Sequence, residues 1–215
     1  MNSLQLSPHE ARVLGTLMEK ARTVPDSYPL SLNALLLGCN QKTSREPLLT
    51  LSEQDALQAL ESLLQRHLVL VASGNRVTRY SHNFHRVTGL AEGPSVLMGL
   101  LLLRGAQTAA ELRANADRWY RFESVAAVEE HLQTLQADAA PMACKLPRMP
   151  GAREARWMHL LCGPPPSANT SPDTDAGNPL PARMPGLAQD WAALQERVQA
   201  LEGRVQDLET LLLSR

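Results

Sequence analysis

Two segments of this chain carry the same pattern, Arg-x-x-Arg-aromatic-x-His, which indicates an internal repeat. The first copy is residues 76–82 and the second is residues 153–159. On a β-strand, alternate residues share a face, so the first arginine, the aromatic residue and the histidine point one way and the second arginine points the other way. We expect the aromatic residue and the histidine to pack against the core. The arginines are expected to be exposed, because arginine is seldom fully buried without a partner.

The elements that precede the first copy are three helices and a strand. A capping box begins at Ser7, with proline at the first helical position, and an apolar stripe at helical spacing follows it. Ser31 and Ser52 are cap residues for a second and a third helix. The apolar run 68–71, a turn at 73–75 and the segment 76–80 then predict a β-hairpin.

The second copy follows the same order of elements. Pro94 opens an apolar helix, Thr108 begins another capping box, and Ser124 can cap a third helix. Residues 142–146 and 153–161 are the predicted strands of a second hairpin, joined by a turn at 147–151. Three helices closed by a hairpin are the winged-helix arrangement, a variant of the helix-turn-helix.

The sequence therefore predicts an α+β fold, mainly α, with four parts. Two tandem winged-helix domains occupy residues 1–90 and 91–163. Residues 164–186 are rich in Pro, Ser, Asn, Asp and Gly, which is typical of a disordered, flexible linker. Residues 187–215 are predicted to form a coiled-coil helix.

Several stretches of the two predicted domains resemble the YceH-like family of bacterial proteins. They are residues 6–20, 28–35, 39–45, 76–80 and 101–105, and the resemblance covers about three quarters of the chain. The resemblance implies a tandem winged-helix fold, in agreement with the pattern of elements. It brings no activity and no site residue with it.

A heptad repeat near the end of the chain predicts self-association. Its a and d positions are Leu187, Trp191, Leu194, Val198, Leu201, Val205, Leu208 and Leu212. Valine at a with leucine at d favours a parallel two-stranded coil. A parallel pair also places Arg197 opposite Glu202 and Arg204 opposite Glu209 of the second copy. We therefore expect a homodimer, although a single amphipathic helix that folds back on its own domains is the alternative.

Composition bounds the compartment and the partners. The net charge is −1 and the pI about 6.6, so the strongly basic surface of a general nucleic-acid coat is excluded, although local basic patches are not. Three cysteines far apart in sequence fit reduced thiols in a cytoplasmic protein. The first residues lack the pattern of a signal peptide, and the longest apolar run, 96–103, is too short to span a membrane. We expect a cytoplasmic protein with no membrane partner.

Motifs of enzyme chemistry are missing from the sequence. It contains no phosphate-binding loop, no dinucleotide fingerprint, no Cys-x-x-Cys and no nucleophile elbow. His82 and His85 are three residues apart, but no matching pair of zinc ligands accompanies them. We therefore expect no catalytic residue, no metal and no cofactor.

Basic residues in a loop and around the two hairpins suggest that DNA is bound through its phosphates. The predicted contacts are Lys42, Arg45, Arg76, Arg79, Arg86, Lys145, Arg148, Arg153 and Arg156. The third helices are acidic, with Glu53 and Asp55 at the start of the first, so hairpins and loop would grip the backbone. The same residues could instead form a solvated surface with internal ion pairs. Two functions follow: a dimeric DNA-associated regulator, or a protein-interaction adaptor that binds no DNA.

Overall fold

A computed structural model describes residues 4–73, 77–137 and 139–165. The elements are α1 (Pro8–Thr23), β1 (Leu30–Ser31), α2 (Leu32–Cys39), α3 (Glu53–Gln65), β2 (Val69–Ser73), β3 (Thr78–His82), α4 (Phe84–Thr88), α5 (Glu92–Arg104), α6 (Ala109–Ala116), α7 (Val125–Ala137), β4 (Ala143–Lys145) and β5 (Trp157–His159). The described residues are therefore α+β and mainly helical. The predicted linker from residue 166 onward and the predicted helix 187–215 lie outside the described residues.

Helix starts follow the local sequence. The capping boxes at Ser7, Ser52 and Thr108 are confirmed: each hydroxyl accepts from the backbone amide three residues on, and the carboxylate there accepts from the cap residue's own amide. Ser31 also caps α2 as predicted. α5 differs, because it begins at Glu92, two residues before Pro94, with no side-chain cap at Ala91.

The two hairpins belong to separate sheets. β2 and β3 pair antiparallel from Val69 opposite His82 to Ser73 opposite Thr78. The short strand β1 pairs with the other edge of β3, which gives the order β1-β3-β2 and adds a strand that the sequence did not predict. β4 and β5 form a two-stranded sheet.

The second hairpin is shorter than the sequence predicts. β5 covers residues 157–159 rather than 153–161, and β4 covers 143–145. The amide of Leu146 still donates to the carbonyl of Arg156 at 2.8 Å, so pairing continues one residue past β4. Two prolines, Pro147 and Pro150, lie in the turn, and proline has no amide proton to donate to a strand partner.

A short helix that the sequence did not predict, α4, follows the first hairpin. Phe84, at its start, is fully buried and fixes the segment to the core. α4 ends at Gly89, which has a φ of +69°, a conformation that glycine adopts without strain.

One apolar core joins α1 of the first half to α5 of the second. The helices pack side by side, and Gly15 and Gly99 allow the close approach. A β-carbon on Gly15 would lie 2.9 Å from Cγ of Leu103 in α5, and one on Gly99 would lie 3.3 Å from Cε of Met18 in α1. The described residues belong to a single compact unit, so the predicted boundary at residue 90 crosses a shared core.

Within the described ranges, no helix combines the length and the apolar character needed to cross a bilayer.

Candidate nucleic-acid interface

The predicted DNA contacts fall into different surroundings, and Arg45 is the one furthest from solvent. Its side chain is 0% exposed and its two terminal nitrogens bind the carboxylate of Glu19, at 3.2 and 2.5 Å. Nε and Nη2 also donate to the carbonyl of Gly38, at 3.2 and 2.9 Å. An arginine held in this way reaches no external phosphate, so Arg45 fixes the loop rather than lining a surface.

Glu19 is the anion of this buried pair. Burial alone would raise the pKa of Glu19, but the hydrogen bonds and charge of Arg45, with those of Lys20, outweigh burial and lower the pKa. Lys20 lies 3.1 Å from the same carboxylate. Glu19 therefore stays ionised and compensates the cations around it.

Arg12 closes the same loop at its two ends. Arg12 is 2% exposed, and its guanidinium donates to the carbonyls of Cys39, at 3.2 Å, and Pro47, at 2.5 Å. Asn40 makes two hydrogen bonds with the backbone of Leu51. Its Nδ2 donates to the carbonyl and its Oδ1 accepts from the amide, both at 2.8 Å. The connection between α2 and α3 is thus held by buried polar side chains.

Three more predicted contacts are exposed but bonded within the chain. Arg79 donates to the carbonyl of Pro29 at 2.8 Å. Arg156 donates to the carbonyl of Ala106 at 2.6 Å and to Glu111 at 2.9 Å. Lys145 lies 3.1 Å from Glu129 and 5.2 Å from the centre of the Trp157 ring.

The other predicted contacts are at the surface. Lys42, Arg86, Arg148 and Arg153 are exposed, and no ion pair of theirs occurs among the described residues. Arg76 lies outside the described residues, as do all the predicted dimer contacts between residues 187 and 212. Two of these four surface cations, Arg148 and Arg153, belong to the second hairpin.

The turn of the second hairpin, residues 146–153, presents two of these arginines. Arg148 and Arg153 are exposed on either side of Met149, which is 69% exposed. The amide of Ala152 donates to the carbonyl of Met149 at 2.9 Å, and Gly151 has a φ of +80°. The turn is therefore a closed loop that carries cations around one apolar side chain.

Two exposed arginines that bind no described residue, Arg118 and Arg121 in the turn between α6 and α7, were missed by the sequence reasoning. Trp119 lies over Gly99, and Tyr120 packs against Phe122 with ring centres 4.8 Å apart. The segment Arg-Trp-Tyr-Arg was the available signal, since basic residues beside aromatic ones are typical of surfaces that bind nucleic acid.

The acidic start of α3 has a structural role. Asp55 accepts from the amide and hydroxyl of Ser52, at 2.9 and 2.6 Å. These hydrogen bonds lower the pKa of Asp55, with a small contribution from His9 at 3.8 Å. This carboxylate is therefore part of the helix cap.

The aromatic residue and the histidine of each repeat pack inward, as predicted. Tyr80 is 9% exposed and Trp157 is 0% exposed. Burial lowers the pKa of His82 and of His159 to about 4, and Arg22 and His85 add to the effect at His82. No group of three or more metal-ligating side chains occurs in the part of the chain that the structure describes.

Comparison with known proteins places these features in a family. A family model described as "Protein of unknown function, DUF480" matches residues 6–152. A "UPF0502 protein" of Albidiferax ferrireducens is 54% identical over 204 residues, which cover 91% of this chain and 89% of that protein. Another, of Polaromonas naphthalenivorans, is 51% identical over 212 residues, 95% of each chain. The chain therefore belongs to the DUF480 family, which agrees with the YceH-like resemblance of its sequence.

Proposed function

We propose that this chain is a DNA-associated regulatory protein built from two tandem winged-helix domains and that it acts as a homodimer. The observation that carries the proposal is the second hairpin turn, where Arg148 and Arg153 are exposed on a closed loop. In a winged helix the hairpin is the wing. A wing with free guanidinium groups is suited to the phosphate backbone, which accepts hydrogen bonds from arginine in any sequence.

The exposed arginines of the second half are the candidate phosphate contacts. Arg118 and Arg121 lie in the turn that precedes α7, the third helix of that half. Together with Arg148 and Arg153 they supply four exposed guanidinium groups. Lys42 and Arg86 supply the first half's share, while Arg45 is left out because it is buried with Glu19.

Dimerisation would increase the affinity for DNA even if each copy binds the phosphate backbone weakly. The heptad between residues 187 and 212 has the valines and leucines of a parallel two-stranded coil. Two copies joined in this way bind two stretches of one duplex, and the second contact is made at high effective concentration. A chain that ends near Gly163 would therefore bind DNA more weakly, although it keeps all of the proposed phosphate contacts.

The adaptor remains the second candidate, because internal bonds use several of the predicted cations. Arg79, Lys145 and Arg156 are all bonded to groups of the same chain. Two large apolar side chains, Leu37 and Leu48, are 76% and 64% exposed. An adaptor would use such apolar surface for a protein partner and would not be retained on DNA at physiological salt.

The test is a titration of a non-specific DNA duplex at several salt concentrations. Contact with about four to six phosphates predicts that log affinity falls with log salt at a slope of about −4 to −5. The double variant Arg148→Gln/Arg153→Gln should bring the slope about 2 closer to zero. Arg22→Gln, which removes an exposed arginine paired with Glu92, is the matched control and should leave the slope unchanged.

Two further results decide between the candidates. Weaker binding by a folded chain that ends at Gly163 supports the dimer. Absence of binding by the full chain at low salt rejects the DNA proposal and favours the adaptor.

A further inference from the structure

The second arginine of each repeat makes the same bond at the same place. Arg79 binds the carbonyl of Pro29 at 2.8 Å, and Arg156 binds the carbonyl of Ala106 at 2.6 Å. The residue that follows each of these carbonyls pairs with the aromatic residue of the repeat. In the first half, Leu30 pairs with Tyr80. In the second half Gln107 pairs with Trp157 in the same way.

The carbonyl in question lies two residues before a helix cap in both halves. Ser31 caps α2 and Thr108 caps α6. Each arginine therefore ties the hairpin to the backbone that leads into the second helix of its own half. The bond is charge-assisted, because the donor is a guanidinium, and such bonds are stronger than those between neutral groups.

The second half strengthens this connection with a carboxylate. Arg156 also binds Glu111, the residue that completes the capping box of Thr108. In the first half the equivalent position is Ala34, which has no carboxylate. There the additional bond comes from elsewhere, because the amide of His82 donates to the hydroxyl of Tyr28 at 2.6 Å.

We propose that Arg79 and Arg156 are equivalent positioning residues that fix the direction of each hairpin against the start of its second helix. They act on DNA through the hairpin and do not bind phosphate themselves. The DNA part of this inference rests on the proposed function, whereas the positioning part concerns the free protein.

Hydrogen exchange of the full chain tests the positioning part. The amides of Gln107 and Trp157 donate to each other's carbonyls, at 3.0 and 2.7 Å, and report on the junction. Arg156→Gln and Arg156→Lys should both speed exchange at these two amides about 3- to 10-fold, since lysine cannot make the forked bond. Arg153→Gln, three residues away and exposed, is the control and should change neither amide. Unchanged exchange in both Arg156 variants overturns the proposal.

The salt dependence of DNA binding tests the second part. A phosphate ligand is replaceable by lysine but not by glutamine, whereas a positioning arginine is replaceable by neither. Arg156→Gln and Arg156→Lys should therefore lower affinity by the same factor and leave the salt slope unchanged. If the salt slope of Arg156→Gln is about 0.9 closer to zero than that of the wild type, and the slope of Arg156→Lys is unchanged, Arg156 is a phosphate contact and the proposal is refuted.

The two proposals fail separately. If the wild-type chain binds no duplex, the proposed function fails, and the exchange rates still decide whether Arg156 positions the hairpin. Arg79→Gln should give the corresponding acceleration in the amides of β3.

Discussion

The two halves have the same order of helices and hairpin, but they fix the connection between the second and third helices by different chemistry. In the first half the connection spans residues 40–52 and is held by the buried ion pair of Glu19 and Arg45. In the second half the connection spans residues 117–124 and has no buried ion pair among the described residues. It is held by aromatic packing, with Trp119 over Gly99 and Phe122 buried, and by Arg113, which donates to two of its carbonyls at 3.3 Å.

The difference has an energetic consequence. A buried ion pair depends on both members, because the loss of one leaves a charge without compensation in a region of low dielectric constant. Aromatic packing fails more gradually, because the neighbours of a removed ring relax partly into the space. The first half should therefore be the more sensitive to single substitutions in this connection.

Arg45→Ala should show the largest effect. We expect the free energy of unfolding to fall by about 3–4 kcal/mol, because Glu19 is left buried with only Lys20, at 3.1 Å, to compensate its charge. Urea unfolding of the full chain measures it. The control is Lys42→Ala, an exposed neighbour in the same loop, with an expected change within about 0.5 kcal/mol. Equal effects of the two variants would show that the Arg45 pair does not hold the loop.

Trp119→Ala should come second. The side chain is only partly buried, so we expect a loss of about 2–3 kcal/mol rather than the full cost of a buried tryptophan. Arg118→Ala, the exposed residue before it, should be near neutral. A loss larger than that of Arg45→Ala would reverse the ranking of the two connections.

His82 and His159, the equivalent histidines of the two halves, should make the free energy of unfolding depend on pH in the same way. The pKa of His82 and of His159 is about 4 in the fold, below the ordinary value of 6.5. The unfolded chain therefore takes up protons first as pH falls, and stability is lost between about pH 6.5 and pH 4. Each histidine should account for on the order of 2 kcal/mol at pH 4.5.

Two measurements check this pH dependence. Unfolding followed at pH 7 and at pH 4.5 should show a smaller difference in His82→Gln/His159→Gln than in the wild type. NMR titration of the two rings should show both unprotonated at pH 5.5. A ring that titrates near pH 6.5 would mean that its half is open to water at that point.

Substitutions in the helix caps should give the smallest difference in the free energy of unfolding between the two halves. Thr108 belongs to a capping box with Glu111, whereas Ser31 accepts one amide, that of Ala34 at 3.3 Å, without a reciprocal carboxylate. We expect Thr108→Ala to cost about 1 kcal/mol and Ser31→Ala about 0.5 kcal/mol. Thr108→Ser keeps the hydroxyl and should restore most of the loss in thermal unfolding. Equal losses at both positions would remove this distinction.

Local features of the fold were predictable from sequence. The capping boxes at Ser7, Ser52 and Thr108 depend on residues three apart, so neighbouring letters suffice to find them. The repeat also predicted which side chains of each hairpin pack inward, since the period of a strand is two. β1 was missed because two residues are too few to show any period.

The candidate interface was predictable only in part. Arg45 and Arg148 are both arginines in predicted loops, and nothing in the neighbouring residues shows which of them is buried. Arg148 is exposed, whereas Arg45 is paired with Glu19, which lies 26 residues away along the chain. Arg79 and Arg156 are exposed, as expected. Each also binds a carbonyl 50 residues away along the chain, which no local pattern in the sequence could predict.

The sequence by itself determined the order of the longer helices and of the two hairpins, and the starts of the helices that have a side-chain cap, because caps and periodicity act between residues a few positions apart. Tertiary structure alone decided that α1 and α5 share one core and which arginines remain at the surface. Those outcomes depend on partners far along the chain, and a guanidinium stays in solvent or enters the protein according to whether a carboxylate or a carbonyl meets it there.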